Sequence, residues 1–467
     1  MTCPRHCERP LRRYAAERSN PINVGQIASI AILLYNLRNY AELKLPSSQD
    51  PAPAPEPFAP QVRSSRLHRT FTALHYPNYR LWFIGQLVSL FGTWMQTTAV
   101  GFLIFELTRS PIYLGYAGFA AGAPSWIFTL YGGVIADRLS RRYLLIITQT
   151  AMMVLAFILT FLTFAHIVQP WHILFLAFLL GIANAFDAPA RQAFASELVN
   201  RDDLTNAIAL NSTMFQLATV IGPAAAGIAY ATLGPGWCFA INGISFLAVI
   251  VALALMRNLP PPVAQHHSAG LAAIKEGLFY VANHRVVRTL IVLVATTSLF
   301  GLSFTTLVPA WAVNVLGGGP TMNGLLYSAR GAGSLLGALL IASLGRFAFR
   351  GKLVSAGTFF YPLAFTLFAF MRIVPLSLFA LLLVGAGTIM VLNLCNALVQ
   401  TISPDHLRGR IMGVYTLLFF GSMPLGALWT GFLAQQWGEP VAVWVNAVVC
   451  IGVAAAVYRK VPEIRAL

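Results

Sequence analysis

The chain carries 467 residues, 57% of them hydrophobic and only 10% charged, with a mean hydropathy of +0.69. Too little polar surface exists to cover such a molecule in water, so an ordinary soluble fold is excluded and lipid becomes the solvent. Lys+Arg outnumber Asp+Glu by 31 to 15, yet the arginines fall singly between apolar runs, which suits an anionic membrane surface and excludes a nucleic-acid partner.

Residues 1–70 differ from the rest. The stretch "SSQDPAPAPEPFAP" (47–60) is a Pro/Ala tract expected to be extended and solvated. The run "IASIAILLYNL" before it is too short to span a bilayer, which takes roughly 20 residues. Arg5, Arg12 and Arg13 upstream imitate a signal peptide, but no small-residue cleavage site follows. The segment therefore reads as a disordered arm or as a start set upstream of the true one. A start near Val62 would need an alternative codon, because no methionine lies between Met1 and Met95.

From Leu81 the apolar runs reach membrane-spanning length. Helices are expected near 80–107, 112–136, 143–168, 170–187, 205–232 and 236–257, forming an N-terminal half at 75–257. A polar linker, 258–287, separates them from runs near 288–315, 322–344, 353–372, 375–401, 411–436 and 440–458, a second half at 288–460. Alternate loops carry fourteen Lys and Arg, against Arg109 and Arg372 alone on the other side, so both termini are expected in the cytoplasm. The halves echo each other: "NRDDLTNAIALNSTMFQLATVIGPAAAG" resembles "SPDHLRGRIMGVYTLLFFGSMPLGALWTG", with Pro223 answering Pro424. Duplicated halves are frequent in secondary transporters, with the substrate path at their seam.

Charge concentrates in "GGVIADRLSRR", between the second and third runs. Gly133 lets a helix end approach another backbone, Asp137 can accept from a neighbouring helix N-terminus, and Arg141 and Arg142 can hold lipid phosphates. The stretch resembles the signature of the major facilitator superfamily, G-x-L-A-D-R-x-G-R-R, with Gly133, Ala136, Asp137, Arg138, Arg141 and Arg142 in register, Ile135 in place of Leu and Ser140 in place of the second Gly. The resemblance implies twelve membrane helices in two six-helix pseudo-symmetric halves, an all-α integral membrane fold, with this loop latching the halves together. A basic loop that only sets topology is the alternative. The matching loop of the second half, "LGRFAFRGKL", keeps its cations and has no acid.

"ATVIGPAAAG" resembles the exporter motif G-x-x-x-G-P-x-x-G-G, with Gly222, Pro223 and Gly227 in place and Ala218 and Ala226 as departures. Pro223 removes a helical hydrogen bond, and small residues admit a close neighbour. With "NYRLWFIGQLVSLFGTWMQTTAVGFLIFELTRSP" and "NAFDAPARQAFASELVNRDDLTNAIALNS", the likeness extends over roughly 75–460 to the branch of enterobactin exporters and transmembrane secretion effectors. The fourth run has no arginine before Arg191, unlike many proton-coupled drug antiporters, which puts their coupling mechanism in doubt here.

Polar groups in lipid ask for a partner or a purpose. Gln86, Thr93, Gln96 and Thr97 lie near one face of the first helix, and Asn393, Asn396 and Gln400 follow helical spacing in the tenth. Each is a candidate substrate contact or an ordinary helix-to-helix bond. Glu106 and Asp187, near span ends with Asn184, are candidate coupling acids. Trp82, Trp94, Trp126, Trp171 and Trp311 are expected as interface anchors, and His166 and His172 at an external turn. Arg330 falls near mid-membrane with no obvious acid, and is expected either to meet an anionic group of the substrate or to bond helix carbonyls. The cysteines Cys3, Cys7, Cys238, Cys395 and Cys450 show no ligand spacing beyond a lone CxxxC, and "LGGGPTMNG" lacks the Lys-Ser/Thr of a phosphate loop, so neither metal, cofactor nor ATP site is expected. No catalytic constellation points to an enzyme. The reading is a monomeric exporter of a small amphipathic siderophore or drug-like molecule across the bacterial cytoplasmic membrane, driven by an ion gradient, most simply protons. An importer or lysolipid flippase on the same fold is the alternative, and a polytopic membrane enzyme a weaker one.

Overall fold

A backbone in hydrocarbon finds no water to bond, so it must close its own hydrogen bonds. The computed structural model divides the chain into Met1–Ser64 and Ser65–Leu467. Within the second unit it describes the backbone of residues 71–138, 140–257, 271–344 and 349–466, and their side chains except at 129–138, 271–274, 344 and 466. The expected arm and residues 258–270 of the polar linker lie outside the described residues.

Every long element described is a helix. The first six are α1 (Pro77–Thr108), α2 (Pro111–Arg138), α3 (Arg141–Phe164), α4 (Pro170–Glu197), α5 (Leu204–Leu233) and α6 (Pro235–Leu255). After a linker helix, Leu271–Asn283, come α7 (Arg285–Val315), α8 (Pro320–Leu344), α9 (Arg350–Phe370), α10 (Val374–Ile402), α11 (Arg408–Trp437) and α12 (Glu439–Lys460). Eleven of these are long and apolar enough to cross a membrane, α2 being the other long helix.

Local chemistry sets the boundaries. Proline stands in the first turn of α1, α4, α6, α10 and α12, where its missing N–H costs nothing and its φ is already helical. α5 and α11 both end on a glycine at positive φ, Gly234 at 92° and Gly438 at 84°, so the duplicated halves turn the same corner with the same residue. Three expectations are corrected. α3 stops at Phe164, four residues early, because His166 adopts φ 58° and the Ile167 N–H folds back to the Leu162 carbonyl. α4 runs past 187 to Glu197 with Pro189 inside it, since a helix does not end where its apolar run ends. Part of the polar linker is helical and docks on α11, where a Cβ on Gly277 would come within 2.7 Å of the Arg410 carbonyl oxygen.

Trp82 and Trp311 are not interface anchors. Both are fully buried, Trp82 edge-on to Phe194 and Trp311 stacked on Phe368 beneath the Arg372 guanidinium. Trp171 stays exposed as expected.

The halves meet along two seams of matching design. In α5 against α8, a Cβ on Gly227 would sit 2.8 Å from the Pro320 carbonyl and 3.2 Å from the Gly324 Cα, one on Gly324 would clash with the Pro223 carbonyl, and the Ser328 hydroxyl donates to the Val220 carbonyl. In α2 against α11, a Cβ on Gly115 would lie 2.8 Å from the Ala427 carbonyl and one on Gly122 would clash with Pro424. Ser110 closes that seam by donating to Gln435 Oε1 at 2.6 Å. Among the described residues these contacts run from the end remote from the termini to the middle of the bundle. Toward the termini, Gly409 and Gly413 of α11 meet nothing within 4 Å.

Gly324→Val is therefore expected to destabilise the protein by about 1–3 kcal/mol through overpacking, read as a lower melting temperature in detergent. Gly413→Ala should melt as wild type. An unaltered melting temperature for Gly324→Val would contradict the seam.

Candidate functional site: the cleft between the halves

The exporter-motif residues lie at the closed seam. Gly222 lets α5 settle on α1, where a Cβ would approach Trp94 Cβ to 2.6 Å, while Pro223 and Gly227 face α8. Pro424, their counterpart in α11, presses on Gly122 of α2, so a proline and a facing glycine mark each seam.

At the terminal end, Arg141 pairs with Glu197 and Arg142 donates to the Ala254 carbonyl at 3.0 Å, tying the start of α3 to α4 and α6. The side chains of Asp137 and Arg138, like the surroundings of Gly133, lie outside the described residues. A neighbouring cluster was not anticipated. Tyr76 donates to Asp203 at 2.8 Å, a bond that pushes its phenol above the ordinary pKa; Tyr79 donates to the Ala207 carbonyl, and the Ala73 N–H to Asn206 Oδ1. These bonds explain "NRDDLTNAIALNS": Asp203, Asn206 and Ala207 pin the chain entering α1 onto the start of α5. Only the tertiary fold reveals the partners, since they are separated by 127–133 positions.

Deeper polar groups divide into satisfied and unsatisfied. Asp187 is 1% exposed and lies inside α4, which continues to Glu197. One carboxylate oxygen accepts from Thr148 and Gln149, both at 2.9 Å, and the other faces Arg191 at 3.5 Å. Glu106 accepts from the Tyr230 hydroxyl at 2.5 Å. Gln96 accepts from Asn242 of α6 at 2.7 Å, so it serves helix-to-helix packing, and Thr97 bonds the Thr93 carbonyl. The second half has its own network, in which Asn446 donates to Thr430, which meets Ser303 at 3.0 Å. Gln86 differs: it is buried, and its Nε2 has no partner.

Asn393 and Asn396 line a cavity of about 280 Å³ between α10 and α11, with Tyr415, Thr416, Phe419 and Phe420. Asn396 accepts from Gln400 at 2.6 Å. Amides, a hydroxyl and aromatic rings on one wall offer hydrogen bonds and stacking to an amphipathic molecule. Arg330 lies in α8, its Nε sealed and unbonded while the residue keeps a partly exposed surface.

The sequence profile described as "Transmembrane secretion effector" matches residues 68–467. The multidrug efflux pump Tap of Mycolicibacterium fortuitum is 30% identical over 74% of this chain and 87% of its own length. The staphyloferrin A transporter of Staphylococcus aureus is 23% identical, covering 77% and 90%, and the enterobactin exporter EntS of Salmonella choleraesuis 25%, covering 79% and 88%. Among solved structures, the nucleoside transporter NupG aligns with a TM-score of 0.63 at 14% identity over 82% of this chain and 98% of that one. A bacterial homologue of the human lysosomal transporter Spinster, inward-facing and occupied, aligns at 0.66 with 14% identity over 84% and 98%.

Asp187→Ala should strand the buried Thr148 and Gln149 donors and lower stability by about 1–3 kcal/mol, measured by thermal melting. Asp187→Asn, which keeps an acceptor, should lose less. Equal melting of Asp187→Ala and wild type would show that the carboxylate is not the hub of this network.

Proposed function

The chain belongs to the transmembrane secretion effector family of major facilitator transporters, and from that premise we propose that it exports a small amphipathic molecule, siderophore-like or drug-like, across the bacterial cytoplasmic membrane. It is a multi-pass membrane transporter and not an enzyme. The observation that carries the reading is the asymmetry of the cleft among the described residues: two glycine–proline seams join the halves at one end, while Gly409 and Gly413 at the other end of α11 face open space. With the basic loops and both termini in the cytoplasm, the open end faces the cytoplasm, the state that loads an outbound substrate.

In this account α2 crosses the bilayer too, giving twelve helices in a single functional copy. Export proceeds as the seams open and the terminal end closes, with Asp137 and Arg138 latching that end beside Arg141 and Arg142. The cavity of Asn393 and Asn396 holds the apolar and hydrogen-bonding parts of the substrate, and Gln86 of α1 is a further candidate contact. Protons are the simplest driving ion, and Glu106 and Asp187 are the embedded acids available to carry them. Relatives named as a multidrug efflux pump and an enterobactin exporter support the outward direction.

Expression in an efflux-deficient bacterium is expected to lower cellular accumulation of a drug-like or siderophore compound, and a protonophore to abolish the effect. Asp137→Asn should reach the membrane at wild-type abundance and transport poorly, because the amide keeps the shape and loses the charge. Gradient-driven uptake of the same compounds, without efflux, would overturn the reading.

A further inference from the structure

The least regular stretch of the membrane region surrounds its most isolated charge. α7 is α-helical over Arg285–Thr296, widens to a π-helix at Thr297–Leu302, tightens to a 3-10 helix at Ser303–Leu307, and widens again at Trp311–Val315. Such breaks free backbone groups from the helical ladder and recur where a membrane helix meets a ligand. Tyr327 of α8 donates at 2.6 Å to the Thr305 carbonyl, which also accepts the Val308 N–H. Tyr361 of α9 points its hydroxyl at Gly301 in the π segment, where any Cβ would clash with it. That hydroxyl is buried and makes no hydrogen bond.

Arg330 follows Tyr327 by three residues on α8, on the same side of that helix. Its backbone is clamped from both sides: a Cβ on Gly331 would sit 2.5 Å from the Thr219 carbonyl, and one on Gly385 of α10 would clash with the Arg330 carbonyl. The root of the side chain is therefore fixed. The embedded acids are engaged elsewhere: Asp187 with Arg191, Glu106 with Tyr230, and Glu439 with Asn314. No ion pair or hydrogen bond joins the guanidinium to any described residue, so the carbonyl bonds that would make it a structural arginine are not formed. A cation held in the bundle without counter-charge or carbonyl partners is costly, and a ligand anion removes that cost.

We propose that Arg330 forms a subsite for a carboxylate on the transported molecule. A planar guanidinium fork matches two carboxylate oxygens side by side. The route of the anion rests on the transport reading, but the binding does not.

The test uses the purified full-length protein in detergent at low chloride, with benzoate as probe and benzamide as its neutral isostere. Benzoate should raise the melting temperature saturably and benzamide should not. Arg330→Gln should weaken apparent benzoate affinity by about tenfold or more, the scale of a charge-assisted hydrogen bond, and Arg330→Lys should fall between wild type and Arg330→Gln. Equal responses to benzoate and benzamide, or unaltered benzoate affinity in Arg330→Gln, would overturn the proposal. Should Arg330→Gln not fold, wild-type affinity in Arg330→Lys would overturn it equally. Benzoate binding through Arg330 in a protein that exports nothing would sink the transport reading and leave the subsite standing.

Discussion

The structure depends on backbone meeting backbone at the α5/α8 and α2/α11 seams. Lipid tails are as apolar as leucine, so two greasy helices gain little by choosing each other over the bilayer; what holds them is close approach and the dispersion and polar contacts it allows. Gly115, Gly227 and Gly324 supply that approach, since each would drive a Cβ into the opposing chain. Proline at Pro223 and Pro424 adds a rigid projection that the facing helix accommodates with glycine. Because both seams engage over the same half of the bundle, they can act as one closure, leaving the terminal end free to admit a solute.

Polar residues follow a division of labour that suits two rigid bodies. Within the first half, Gln96 with Asn242, and Asp187 with Thr148 and Gln149, bond helix to helix; within the second, Asn446, Thr430 and Ser303 do the same. Such bonds stiffen each half. Other buried polar atoms have no partner among the described residues, Gln86 Nε2, Arg330 Nε and the Tyr361 hydroxyl among them. A transporter that must bind and release has reason to keep a few polar groups uncommitted.

Much of this was legible in sequence. Apolar runs gave the helix order and most helix ends within a few residues, the end of α4 excepted, because a helix can outrun its apolar stretch. The exporter motif pointed to the seam, since close packing needs small residues wherever it occurs. What sequence could not supply was partnership. Gln96 and Gln86 look alike on one helical face, yet only the fold reveals that Asn242 takes the first and nothing takes the second. Trp82 and Trp311 resembled interface anchors because burial depends on neighbours such as Phe194 and Phe368, distant in the chain. The irregular turns of α7 carry no Gly-Pro signal over "TTSLFGLSFTT".

Movement at the seams is the central claim, and locking one of them tests it most directly. Ser110, immediately before α2, and Gln435 of α11 touch across the halves at the closed end. With both replaced by cysteine and bridged by a short reducible bis-methanethiosulfonate, transport should stop and return when a reductant cuts the bridge. Undiminished transport by the bridged protein would contradict alternating access through this seam.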